Sequence, residues 1–144
     1  MKKSTKNEKL YEVKLSRWQM SVILDALETY ERIGMGQFDI ALKSSPSPIS
    51  LRCINFNDHQ RAEFGVIIDR LKEITFPELP KDASFSITAK DIPENCRVAY
   101  DMQQVFRHQL AWDVHPEGGI TVEFDKPLRV SEEPLAKMVI WSKK

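Results

Sequence analysis

The stretch AWDVHPEGGITVEFDKP, Ala111–Pro127, decides the fold class. Its first residues close a helical pattern that starts at Pro93, and Pro116-Glu117-Gly118-Gly119 forms a turn. In the last third Ile120, Val122 and Phe124 alternate with Thr121, Glu123 and Asp125. Alternation with a period of two is the pattern of a half-buried strand, so the stretch reads as helix, tight reversal and strand. The glycines invite comparison with phosphate-cradling loops, but such loops precede a helix and use its positive N-terminus. This pair follows a helix, at the end carrying partial negative charge, so its first role is to permit positive φ in a reversal that Pro116 rigidifies.

Outward from that stretch, the apolar positions of the preceding helix are Val98, Ala99, Met102, Val105, Phe106 and Leu110, running to about Trp112, with Pro93 as its first residue. Two further helices are predicted. One follows Ser16, three residues before Gln19 in capping-box spacing, with Val22, Ile23, Ala26, Leu27, Tyr30 and Ile33 on one face and Gly34 as a left-handed C-cap. Gly36 to Lys43 adds a short helical turn or two packed through Phe38 and Leu42. The other is capped by Asn57 or Asp58, carries Phe64, Ile67, Ile68, Leu71 and Ile74, and ends at Phe76-Pro77, because the residue before proline avoids helical dihedrals. Between them Lys43–Ser50, KSSPSPIS, reads as a mobile linker. Tyr11–Leu15 and Lys137–Trp141 read as strands, with a scrap of strand at Phe85–Thr88. The fold expected is α+β: three main helices packed on a small, mostly antiparallel sheet. Residues 11–144 would form a single domain behind a flexible basic N-terminus, residues 1–10.

Composition narrows the function classes. The 144 residues are enough for one domain with a core of its own. Lys plus Arg and Asp plus Glu both number 21, so no global field draws the chain to nucleic acid. No apolar run is long enough to cross a membrane, and no apolar segment of the secretory type follows the basic start, which points to the cytoplasm. Cys53 and Cys96 read as reduced thiols, and Cys96 as a small core residue.

The chemistry-bearing residues gather along the helix from Pro93. Arg97, Asp101, Gln104, Arg107 and His108 recur at helical spacing, and two arginines with a histidine can hold a phosphate or carboxylate. The bland alternative is a solvated face of charge pairs. Trp112 and Asp113 lead into the turn, and Asp113, at the wrong helix end for an anion, is either a brace for the turn or a ligand-facing acid. His108, Asp113, His115 and Glu117 match no zinc spacing, so no metal is assigned. No Ser/His/Asp or Cys/His arrangement can be built, so no catalytic residue and no cofactor is assigned. The candidate ligand-binding set is Arg97, Gln104, Arg107, His108, Trp112 and Asp113.

RIGMGQFDIAL (Arg32–Leu42), RVAYDMQQVFRHQLAWDVHPEGGITVEFDKP (Arg97–Pro127) and SEEPLAKM together resemble a group of small proteins encoded by tailed bacteriophages and prophages. That resemblance implies an accessory protein acting in the cytoplasm of the infected bacterial host, on host defence or metabolism. The leading expectation is a protein, possible as a homo-oligomer, that binds a small anionic ligand of the nucleotide class without turnover, such as a host defence signal. A module that blocks a host protein comes second. A metal-dependent enzyme comes last.

Overall fold

The computed structural model describes residues 9–44 and 47–141. Among them there are five α-helices and one 3-10 turn: α1 (Arg17–Gly34), α2 (Phe38–Lys43), α3 (Pro48–Cys53), α4 (Asp58–Thr75), α5 (Glu94–Val114) and the turn Val122–Phe124. The expected α+β fold is overturned, since no strand and no sheet occurs among the described residues. At the deciding stretch, the Phe124 and Asp125 amides donate back to the Thr121 and Val122 carbonyls and close a 3-10 turn. Alternation specifies a strand only where a neighbouring strand supplies backbone partners, and none is present here. Ile120 and Val122 therefore face solvent, and Phe124 alone turns inward.

The other predicted strands fail for the same reason. Tyr11–Leu15 and Lys137–Trp141 are extended without a ladder, although Lys14 Nζ lies 4.1 Å from the centre of the Trp141 ring. Phe85–Thr88 is irregular, fixed by the Phe85 amide donating to the Met35 carbonyl at 3.0 Å. Of the expected flexible N-terminus, residues 1–8 lie outside the described residues, as do 45–46 of the expected linker. The rest of that linker is not unstructured: Pro48 opens α3, with the Ser47 hydroxyl accepting from the Ile49 amide. Proline is at home in a first helical turn, where its missing N–H has no partner to lose.

The long helices start as their sequences dictate. Ser16 and Gln19 form a complete capping box on α1, and Asn57 and Gln60 form one on α4. Pro93 is the N-cap of α5, one residue before the helix proper. The left-handed glycine after α1 is Gly36, with φ +75°, and not Gly34. Gly34 instead allows α1 and α5 to approach: a Cβ there would lie 2.2 Å from Cys96 Sγ.

α1 and α5 are the principal packed pair, with α2, α3 and α4 arranged beyond α1. Met35, Ile92 and Cys96 form the buried cluster at one end, covered by Phe85, Ile87 and Ala89. The buried face of α5 is unusually polar, with Asp101, Gln103 and Gln104 enclosed beside Ala99, Val105 and Phe106. No helix among the described residues is long and apolar enough to cross a membrane.

Candidate functional site

α5 runs for about 31 Å, and the six candidate residues divide along it. Arg97 and Asp113 are separated by roughly 24 Å of helix axis, too far to share a small ligand. Arg97 Nη2 donates to the Ala89 carbonyl at 2.8 Å, and Nη1 lies 3.8 Å from Glu94 Oε2, so this guanidinium fastens the loop before α5 to its first turns. Asp113 accepts from Gln109 Nε2 at 3.0 Å, one helical turn back.

His108 and Trp112 engage the 3-10 turn. His108 Nδ1 lies 3.3 Å from the Glu123 carbonyl, and the Trp112 ring meets Phe124 edge-on at 5.5 Å between centroids. Both glycines of the turn are shaped by this contact. Gly118 has φ +82°, and its added Cβ would lie 3.1 Å from Trp112; a Cβ on Gly119 would come 2.4 Å from Phe124. The stretch that decides the fold is thus a lid of backbone closed on Trp112, which is still 39% exposed. His115 pairs with Glu117 at 3.3 Å, and no group of three metal-binding side chains gathers among the described residues.

Gln104 and Arg107 belong to a second, buried cluster facing α1. Arg107 Nη2 donates to Gln104 Oε1 at 2.8 Å, and Gln104 Nε2 donates to Gln103 Oε1 at 3.0 Å. Glu31 of α1 lies on the same face as Met20, Leu24 and Leu27 and is only 4% exposed. Burial raises its carboxyl from 4.5 to about 8; Arg32 opposes that rise, Glu28 adds to it and Arg107 opposes it. Its carboxyl is therefore largely protonated at neutral pH. Burial and the neighbouring Glu31 also push up the Cys96 thiol. The Tyr100 hydroxyl is raised by burial and by Glu31, against Arg107, with Asp101 adding to the rise. Two polar atoms in this cluster are buried without any hydrogen-bond partner, Glu31 Oε2 and Arg107 Nε. A buried orphan of this kind costs about 1–3 kcal/mol and calls for a partner.

Sequence reasoning missed Glu31 and Gln103. The signal for Glu31 was present: an acid in line with the apolar positions of a helix is either paired or neutral. It also placed Asp101 on a solvated face, whereas the structure buries it. There Asp101 accepts from the Val130 and Ser131 amides at 2.7 and 3.0 Å and from the Ser131 hydroxyl, while Glu94 Oε1 accepts from the Glu132 amide at 2.6 Å. These two carboxylates tie the C-terminal segment to α5.

Compared with known protein families, with curated proteins and with solved structures, the chain matches none.

Proposed function

We propose that this chain is a phage-encoded accessory protein that binds a small anionic ligand of the nucleotide class between α1 and α5 and releases it unchanged. The observation that carries the reading is the pair of orphaned polar atoms, Arg107 Nε and Glu31 Oε2, in one buried cluster. A guanidinium whose Nη2 is already oriented by Gln104 offers its remaining N–H groups in fixed geometry, which suits a phosphate. Glu31, neutral at pH 7, presents a hydroxyl donor where an ionised carboxylate would repel the anion. Tyr100 supplies an uncharged aromatic beside them. Arg97, His108 and Trp112 lie outside this cluster and hold the loop before α5 and the 3-10 turn after it, and Asp113 accepts from Gln109. The phage resemblance supports a place of action in the cytoplasm of the infected host.

Isothermal titration calorimetry against mono-, di- and cyclic nucleotides tests this reading. Micromolar binding of at least one of them is expected, with the ligand recovered intact by mass spectrometry, and Arg107→Ala is expected to weaken it at least tenfold. No heat from any nucleotide at millimolar concentration, or unchanged binding by Arg107→Ala, overturns it.

A second reading, contact with a host protein, is favoured by the apolar side chains displayed on the extended ends: Leu10, Tyr11 and Val13 at one, Val139, Ile140 and Trp141 at the other. A single host protein retained in stoichiometric amount, and lost when Tyr11 and Trp141 become serine, would favour it.

A further inference from the structure

Few of the charged groups around Glu31 are free to answer a ligand. On α1, Arg32 is already spent: Nε and Nη2 donate to Glu28 Oε1 at 2.9 and 2.7 Å, and Nη1 donates to Gln37 Oε1 at 2.7 Å. On α5, Asp101 is satisfied by the Val130 and Ser131 amides and the Ser131 hydroxyl, with no cation among its partners in the described residues. Tyr100 and Cys96, both raised by burial and by Glu31, stay uncharged at neutral pH. Glu31 is enclosed, and its Oε2 has no partner among the described residues, so the carboxyl keeps its proton rather than bury a bare charge.

Arg107, bound only to the neutral Gln104, is then the one arginine of the cluster not paired with an acid among the described residues. A ligand with a single negative charge balances it. A second charge would enter buried surroundings with no cation opposite it, and with Asp101 less than two turns back along α5 acting against it. The donors give the same count. Arg107 Nε and the protonated Glu31 Oε2 are the orphaned pair, and a phosphodiester has two non-bridging oxygens to accept from them. We propose that the ligand is a nucleotide whose phosphate is a singly charged diester, the cyclic class, and that the site rejects the doubly charged monoester of the same base.

This inference rests on the nucleotide reading above and narrows it by charge. A phosphate monoester loses its second proton near pH 6, so at pH 7 only about one molecule in ten is still the monoanion. A cyclic nucleotide therefore reaches the site wholly in the form it accepts, and the matching 5′-monophosphate mostly in the form it rejects. Glu31, raised to about 8, is protonated throughout the range from pH 5 to 7. Any other titration of the protein acts on both ligands alike, so the ratio of their affinities reads the charge of the ligand.

Calorimetry on the full chain with the 3′,5′-cyclic phosphates and the 5′-monophosphates of adenosine, guanosine, cytidine and uridine tests it. For each base that binds, the cyclic form is expected to be about tenfold tighter or more at pH 7. At pH 5 the two should come within about twofold, the monoester having gained about tenfold. Gln103→Lys, which adds a second cation to the cluster, should narrow the ratio at pH 7 by about fivefold or more. The wild-type comparison decides the matter by itself should that variant not fold. A monophosphate bound as tightly as the cyclic form at pH 7, a ratio flat from pH 7 to 5, or a folded Gln103→Lys with an unchanged ratio overturns the proposal and leaves the nucleotide reading standing. No heat from any nucleotide removes both.

Discussion

Replacing Glu31 with glutamine should make the protein more stable, by an amount that depends on pH. Glu31 has an ordinary carboxyl value of 4.5 and is raised to about 8 in the fold. Between those values the folded state holds a proton that the unfolded chain has released. Unfolding stability therefore falls as pH rises, by about 1.4 kcal/mol per pH unit. The contribution is intact below pH 4.5, is reduced by about 3 kcal/mol at pH 7 and by about 5 kcal/mol above pH 8. Against a typical net stability of 5–15 kcal/mol this is a large share. Glutamine has nearly the same shape and no charge to bury, so Glu31→Gln should match the wild type near pH 4.5 and exceed it by about 3 kcal/mol at pH 7. Urea denaturation followed by circular dichroism at pH 5, 6, 7 and 8 measures both slopes. The Cys96 thiol and Tyr100 hydroxyl, both raised above their ordinary values of 9.0 and 10.0, stay protonated across that range. A wild-type stability that is flat from pH 5 to 8, or a glutamine variant with the wild-type slope, refutes the reasoning.

Ligand affinity should follow the same proton: nucleotide binding should weaken as pH passes from 7 to 9 in the wild type, and calorimetry on Glu31→Gln should show little of that loss. Asp101→Asn replaces an acceptor-only carboxylate with a group that turns one amide donor toward the Val130 and Ser131 amides. It should cost about 2–3 kcal/mol in urea denaturation and speed tryptic cleavage after Arg129. Gly119→Ala places a methyl 2.4 Å from the Phe124 ring, displacing it from Trp112 at about 1–3 kcal/mol; an unmoved Trp112 indole resonance in the NMR spectrum would contradict this. Ser16→Ala removes the side-chain half of the α1 capping box, for a loss of about 1 kcal/mol in the same denaturation assay.

The long helices were legible because their signals are local. Ser16 with Gln19, Asn57 with Gln60 and the Phe76-Pro77 stop each act within a few residues, so no distant partner is needed to set them. A strand differs, because alternation describes one chain while the ladder belongs to two. Ile120, Val122 and Phe124 carry the alternation, but their backbone closes on itself in a 3-10 turn, and only Phe124 finds a surface, the edge of Trp112. Which way a helix faces is likewise a property of its neighbours. The stripe expected to be buried on α1 includes Val22, Tyr30 and Ile33, all of which remain exposed, while Met20 and Glu31 turn toward α5. Gly34 explains the rotation, since only its missing Cβ permits the close approach to Cys96 that sets the α1/α5 contact.

The candidate site was legible to the same extent and for the same reason. Spacing along α5 placed Arg107 and Gln104 one turn apart, and the structure joins them through a hydrogen bond of 2.8 Å. It could not place Glu31 opposite them, because that pairing joins residues far apart in the chain. The consequence is chemical as well as geometric. On the proposed function, Arg107 beside an ionised carboxylate would be neutralised as an anion receptor, whereas a carboxyl held neutral by burial would leave its charge uncompensated for a ligand. On the proposed function, the same burial that costs the fold stability above pH 5 leaves Arg107 without a charged partner, and so Glu31→Gln should separate the two effects by raising stability while sparing the proposed anion site.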